Sequence, residues 1–182
     1  MNRQWFAIAA IGRDRPGIVA DLSECVFECD CNLEDASMTM LGSEFATLMV
    51  VSGVGHTIRE RISTAMKRLE WEKHLTIFLR PIENEPQPPA GHEAKQYTVT
   101  ARGVDKAGIV AGVARCLADR AVWITDLRGR LEHSPDTGTP LYTLRIRANV
   151  PSQVSAQTLR QSLVAVAEQL GIEVSLEAAH VI

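Results

Sequence analysis

Apolar and polar positions along the chain change period several times, and each change marks an element. Residues 4–11, QWFAIAAI, are a short apolar run bounded by charge, which predicts a buried strand. After GRDRPG at 12–17, Ile18, Leu22, Cys25 and Cys29 recur at helical spacing with Val19 and Val26 beside them. That predicts an amphipathic helix over 17–30. Residues 33–41 and 45–52 read as strands around the hairpin signal Gly42-Ser43-Glu44. Ile58, Ile62, Met66 and Leu69 mark a second helix, about 56–73, and LTIFLRPI closes the series as a strand.

The same order then returns. Strand 96–102 leads through GVDKAG (103–108) to a helix over 108–120. Strands 123–132 and 140–148 flank the polar loop HSPDTGT. Leu159, Leu163, Val166 and Leu170 define another helix, and 172–178 is a last strand. A shift of 91 residues places Gly12 on Gly103, Asp14 on Asp105, Gly17 on Gly108, Cys25 on Cys116 and Asp35 on Asp126. A fixed offset kept over such a length points to duplication.

Between the copies, PIENEPQPPAGHEAK (81–95) holds four prolines and resists both helix and strand. The expected organisation is a first domain over 1–83, a proline-rich linker over 84–95 and a second domain over 96–182. The order βαββαβ predicts an α+β protein of two ferredoxin-like units in tandem. Each would be a four-stranded antiparallel sheet with both helices on one face. In strand 45–52, Phe45, Thr47, Met49 and Val51 alternate with Ala46, Leu48, Val50 and Ser52, so both faces are largely apolar. A sheet with one wet face alternates more cleanly. The second face is therefore expected to be covered, by the other copy or by another chain.

Composition narrows the classes. The 182 residues are 46% hydrophobic with a net charge of −3, ordinary for a globular protein and no support for nucleic-acid binding through bulk charge. The first apolar run looks like a short signal segment. However, Arg13, Asp14 and Arg15 stand where cleavage would fall, and the run is too short to span a bilayer. A cytoplasmic protein without a membrane partner is expected. Cys25, Cys29 and Cys31 cluster, but no second pair or nearby histidine completes a zinc set. They read as small core residues beside Cys116, with no metal and no cofactor.

Candidate chemistry gathers at the first turn. Its glycines permit backbone conformations closed to other residues, and Pro16 suits the start of a helix. Free N–H groups of the following helix can receive a carboxylate. Asp14 can accept from an ammonium group, and Asn32 can both donate and accept. Together these suit the two ends of a free amino acid. The plain alternative is that Asp14 and Asp105 cap the helices that follow them. Arg128, Arg130, Arg145 and Arg147 fall at period two on adjacent strands, so they form one basic stripe, partly neutralised by Asp126 and Glu132. A solvated or inter-subunit salt-bridge surface accounts for it, with an acidic protein partner next. No aromatic residues interleave as direct nucleic-acid binding would need. The five histidines are scattered, and no nucleophile–base arrangement repeats.

The topology, with GRDRPGIVADLSECVFECDCNLEDASM, resembles the ACT domain family of amino-acid-binding regulatory modules. The tandem layout is similar to the glycine cleavage system transcriptional repressor family. The resemblance implies a non-catalytic sensor. Its ligand, glycine or serine, would lie against Arg13, Asp14, Arg15, Pro16, Gly17, Ile18, Asn32 and Leu33. It further implies a homo-oligomer and a transcription-activator protein partner. In the second copy Asp105, Lys106, Ala107, Gly108, Ile109 and Trp123 take the matching positions. There Ala107 replaces the proline and Trp123 the asparagine, so the gripping amide is expected to be missing. An interaction module without a small ligand is the other reading. Acylphosphatase shares the topology, and Arg13, Arg15 and Asn32 superficially echo its phosphate cradle, but Pro16 removes a donor such a cradle needs.

Overall fold

The computed structural model describes residues 3–83, 85 and 94–179. The chain divides into two compact units, Met1–Pro88 and Pro89–Ile182. Residues 84 and 86–93 of the expected linker lie outside the described residues, and Lys95 already belongs to a strand.

Unit 1 runs β1 (Arg3–Arg13), α1 (Ile18–Glu28), β2 (Cys31–Leu41), β3 (Glu44–Val54), α2 (Ile58–Lys73) and β4 (Thr76–Ile82). Unit 2 repeats the order with β5 (Lys95–Val104), α3 (Ile109–Ala118), β6 (Trp123–His133), β7 (Pro140–Val150), α4 (Ala156–Leu170) and β8 (Glu173–Ala178). The sheets have strand orders β2-β3-β1-β4 and β6-β7-β5-β8, with every pairing antiparallel. Both are the expected split βαβ arrangement. The duplication extends to an irregularity: β2 shifts register between Leu33 and Asp35, and β6 between Ile124 and Asp126. The extra residue, Glu34 or Thr125, lets Asn32 and Asp35, like Trp123 and Asp126, share one face.

The helical period in the sequence becomes burial here. Ile18, Leu22, Cys25 and Val26 of α1 and Ile58, Ile62, Met66 and Leu69 of α2 pack with Phe6, Ile8, Phe45, Met49 and Val51 of the sheet. In unit 2, Ile109, Val113, Leu117, Leu159 and Leu163 meet Val99, Leu144, Ile146 and Leu176.

The glycines bracketing the two turns have different tasks. A side chain on Gly12 would come within 2.6 Å of Leu75, and one on Gly103 within 2.6 Å of Ile172. The first glycine of each turn thus admits the residue that follows the second helix. The last glycine, Gly17 or Gly108, takes a left-handed φ of 91° or 98° in open space, as the N-cap of its helix.

Candidate functional site

The first turn is built from the end of β1. Arg13 pairs with Glu44 of β3, and the Asp14 N–H donates to the Ser43 carbonyl at 2.9 Å. Unit 2 repeats this with Asp105 donating to Pro140 at 2.9 Å. Neither aspartate is an N-cap: the caps are Gly17 and Gly108, without a side-chain bond. Pro16 was expected inside the helix start; α1 begins at Ile18, so Pro16 precedes the cap, and Ala107 holds the matching place before Gly108. Pro16 therefore sets the approach to the helix without spending a helical N–H. The first-turn N–H groups after Gly17, those of Val19 and Ala20, have no intrahelical acceptor, as at any helix start. The buried Ile18 side chain anchors that turn in the core, and Ile109 does the same in unit 2.

Arg15 is held by a carboxylate of the helix that the turn opens. Its guanidinium donates to Asp21 at 2.6 Å, and Lys73 lies 3.2 Å from the same carboxylate. These two hydrogen bonds, Arg15 first, hold the Asp21 carboxyl below the usual range. Lys106 in unit 2 instead lies close to Gly171, the C-cap of α4, where a cation suits the helix end.

Asn32 occupies a different place altogether. It pairs with Ser52 of β3, which pairs with Trp5 of β1. The turn lies off the other end of the sheet, beyond the row Leu41, Glu44 and Arg13. From Trp5 to Arg13 the strand advances about 26 Å at ~3.3 Å per residue. Within unit 1 the turn and Asn32 do not form one pocket, and Arg13, Arg15 and Asn32 do not converge as a phosphate cradle.

A polar cluster that the sequence did not disclose surrounds Asn32. The Glu34 carboxylate accepts from Ser52 at 2.5 Å, Asn32 at 3.0 Å and Arg3 at 3.2 Å. The Ser52 and Asn32 bonds hold the Glu34 carboxyl below its ordinary range, and Arg3 adds to this. Arg3 also lies 5.2 Å over the Trp5 ring. Leu33 points to the helix side opposite Val51 and is partly exposed. The strand pairing and the extra residue Glu34 create this cluster, and neither is visible as local spacing.

In unit 2 the corresponding row is Trp123, Asn149 and Gln96. Trp and amide have changed strands. Trp123 stands on the edge strand, 59% exposed, where unit 1 has Asn32. The position of Asn32 holds no amide in unit 2, and the asparagine paired with Trp123 is Asn149, whose Oδ1 is buried without a partner among the described residues. The fixed offset could have found the Trp5/Gln96 exchange, while Asn149 needed the β7 register.

All four cysteines are buried free thiols. Burial pushes Cys25 and Cys31 up to about 11 and raises Cys29 and Cys116. Cys25, Cys29 and Cys31 belong to the unit 1 core. No group of metal-ligating side chains forms among the described residues, and no helix there is long and apolar enough to cross a membrane. The expected arginine stripe is present on one sheet face, with Asp126 within 3.5 Å of Arg128 and 3.6 Å of Arg147, and Glu132 within 3.6 Å of Arg130.

The family model for the ACT domain matches residues 4–79, nearly all of unit 1. Unit 1 is an ACT domain. Unit 2 repeats its order, sheet and turn, so the chain is a tandem of two ferredoxin-like units, the first of which matches the ACT domain. It is 25% identical over 175 residues to the glycine cleavage system transcriptional repressor of Escherichia coli K12, covering 96% of this chain and 90% of the relative. Among solved structures, an unknown protein from Galdieria sulphuraria is 26% identical with a TM-score of 0.74, covering 98% of this chain and all of the other. A putative glycine cleavage system transcriptional repressor aligns over the full length of both chains at 23% identity and a TM-score of 0.78, and shares the fold.

Proposed function

We propose that this tandem ACT protein is a non-catalytic amino-acid sensor that regulates amino-acid metabolism, acting on transcription through contact with an activator protein. The observation that carries the reading is the first turn of an ACT domain, where Gly17 in a left-handed conformation opens α1 and leaves first-turn N–H groups for a carboxylate. The full-length similarity to a glycine cleavage system repressor supports glycine or serine as the ligand and a cytoplasmic setting, in which four free thiols are at home. Because Asn32 and the turn stand apart within unit 1, a ligand touching both takes them from two protomers. Asp14 then receives the ammonium group, and Asn32 closes the site from the other chain.

A thermal-shift series with the standard amino acids tests this. A bound effector at a hundredfold excess over Kd stabilises by about 2.7 kcal/mol. No shift with any amino acid at millimolar concentration overturns the sensor in favour of an interaction module without a small ligand. Asn32→Ala weakens the ligand more than Trp123→Ala; the reverse order moves the site to unit 2.

A further inference from the structure

The two units close the groove between their helices in different ways. In unit 1 charge ties α1 to α2. Lys73 lies 3.2 Å from Asp21, Arg68 3.6 Å from Glu28, and Arg61 2.7 Å from Asp30, just past α1. The 91-residue shift sets Gly112, Asp119 and Ala121 on the three acids. The left-handed C-caps His74 and Gly171 align α2 with α4, which sets Leu170, Ala165 and Thr158 on the three bases. Of the six, Asp119 alone keeps its charge, and no ion pair joins α3 to α4 among the described residues.

Two arginines enter instead. Arg115 takes the place of Glu24, and Arg120 that of Cys29. The Arg120 guanidinium is held by neutral acceptors, donating to the Cys116 carbonyl at 2.8 Å and to the Ser162 hydroxyl. Neither arginine has a carboxylate within ion-pair distance among the described residues. With Gln161 and Gln169 they line a groove of about 600 Å³, a size at which small molecules bind. Asp119 is the single acid on the described lining, so two guanidiniums stand against one carboxylate. The Gly112 end is apolar, with α3 close against Val166 and Leu170.

We propose that this groove binds a small organic anion. Its carboxylate or phosphate group sits on Arg120 and Arg115, and its apolar body lies toward Gly112, Val166 and Leu170. A guanidinium already fixed by Cys116 and Ser162 offers its remaining N–H groups with little further loss of rotamer freedom. The extent of the groove fits a molecule better than a domain. From Gly112 to Arg120 a helix advances about 12 Å, and neither α3 nor α4 carries an aromatic residue to anchor a protein partner. The site lies in unit 2 and does not depend on the amino-acid reading of the Gly17 turn.

Amide NMR spectra of the full chain, titrated with phenyl phosphate, phenylacetate, benzyl alcohol and inorganic phosphate, test it. Saturable shifts are expected in residues 112–120 and 161–170 with at least one of the two aromatic acids, and the tighter of them identifies the acid group. Benzyl alcohol lacks the charge and inorganic phosphate the apolar body, so each binds about tenfold more weakly. Arg115→Gln, at an exposed position, weakens the tighter acid about tenfold. Ala165→Arg copies unit 1's Arg68 beside Asp119, and is expected to melt no lower than the wild type while losing the shifts. No shift with either acid at millimolar concentration overturns the proposal, as do shifts confined to other elements or equal binding of benzyl alcohol or inorganic phosphate. Unaltered binding in Ala165→Arg also overturns it. If that variant melts lower, Arg115→Gln decides alone, and unaltered binding there is fatal.

Discussion

Asn32 donates its side-chain amide to Glu34 at 3.0 Å. That places the amide in an ionic cluster at the end of the sheet remote from the Gly17 turn. Glu34 is held below its ordinary carboxyl range by Ser52, Asn32 and Arg3. A carboxylate depressed in the folded state stabilises the fold above its unfolded pKa, and that contribution is lost as pH falls through the folded value. Thermal unfolding between about pH 6 and about pH 3 is therefore expected to show a smaller loss of Tm in Glu34→Gln than in the wild type. Equal slopes would remove Glu34 from the acid response.

The two glycines of the first turn are expected to fail in different ways. Gly12→Ala drives a methyl group against Leu75 and costs about 1–3 kcal/mol of overpacking. Gly17→Ala meets open space but keeps a left-handed φ, costing about 1 kcal/mol. Urea denaturation checks both. Trimming Leu75 to Ala in the Gly12→Ala background reduces the first penalty, and the same trim leaves the Gly17→Ala penalty unchanged.

The buried thiols are expected to be silent toward Ellman's reagent in the folded protein. Burial raises all four, Cys25 and Cys31 to about 11, so thiolate is scarce at neutral pH. Colour develops with the rate of unfolding when denaturant is added. Rapid reaction of one thiol in native buffer would show that one of these helix–sheet contacts opens on its own.

Arg145 stands directly opposite Arg128 and has no carboxylate within ion-pair distance among the described residues. Like charges across a ladder destabilise it. Arg145→Thr is expected to stabilise the free protein by ~0.3 kcal/mol, and less in high salt, where the repulsion is screened. Denaturant midpoints at two ionic strengths give the answer.

Element order was legible because each helix repeats its apolar residues at three to four positions, and each strand is bounded by turn chemistry. The 91-residue offset disclosed the second unit even where Pro16 had become Ala107. The site was less legible. Asn32 and the turn are 15 residues apart in sequence, which reads as nearness, yet α1 and the start of β2 carry the chain back to the far end of the sheet. Glu34 and Ser52 meet only through the β2–β3 register and its extra residue. Asn149 pairs with Trp123 from a neighbouring strand, beyond the reach of any local pattern.

The backbone bond from Asp14 to Ser43, and its repeat from Asp105 to Pro140, fastens each turn to the hairpin beside it. The joint is made of main-chain atoms, so it survives every exchange of side chain at Asp14 or Asp105 except one: a proline, which has no N–H to give.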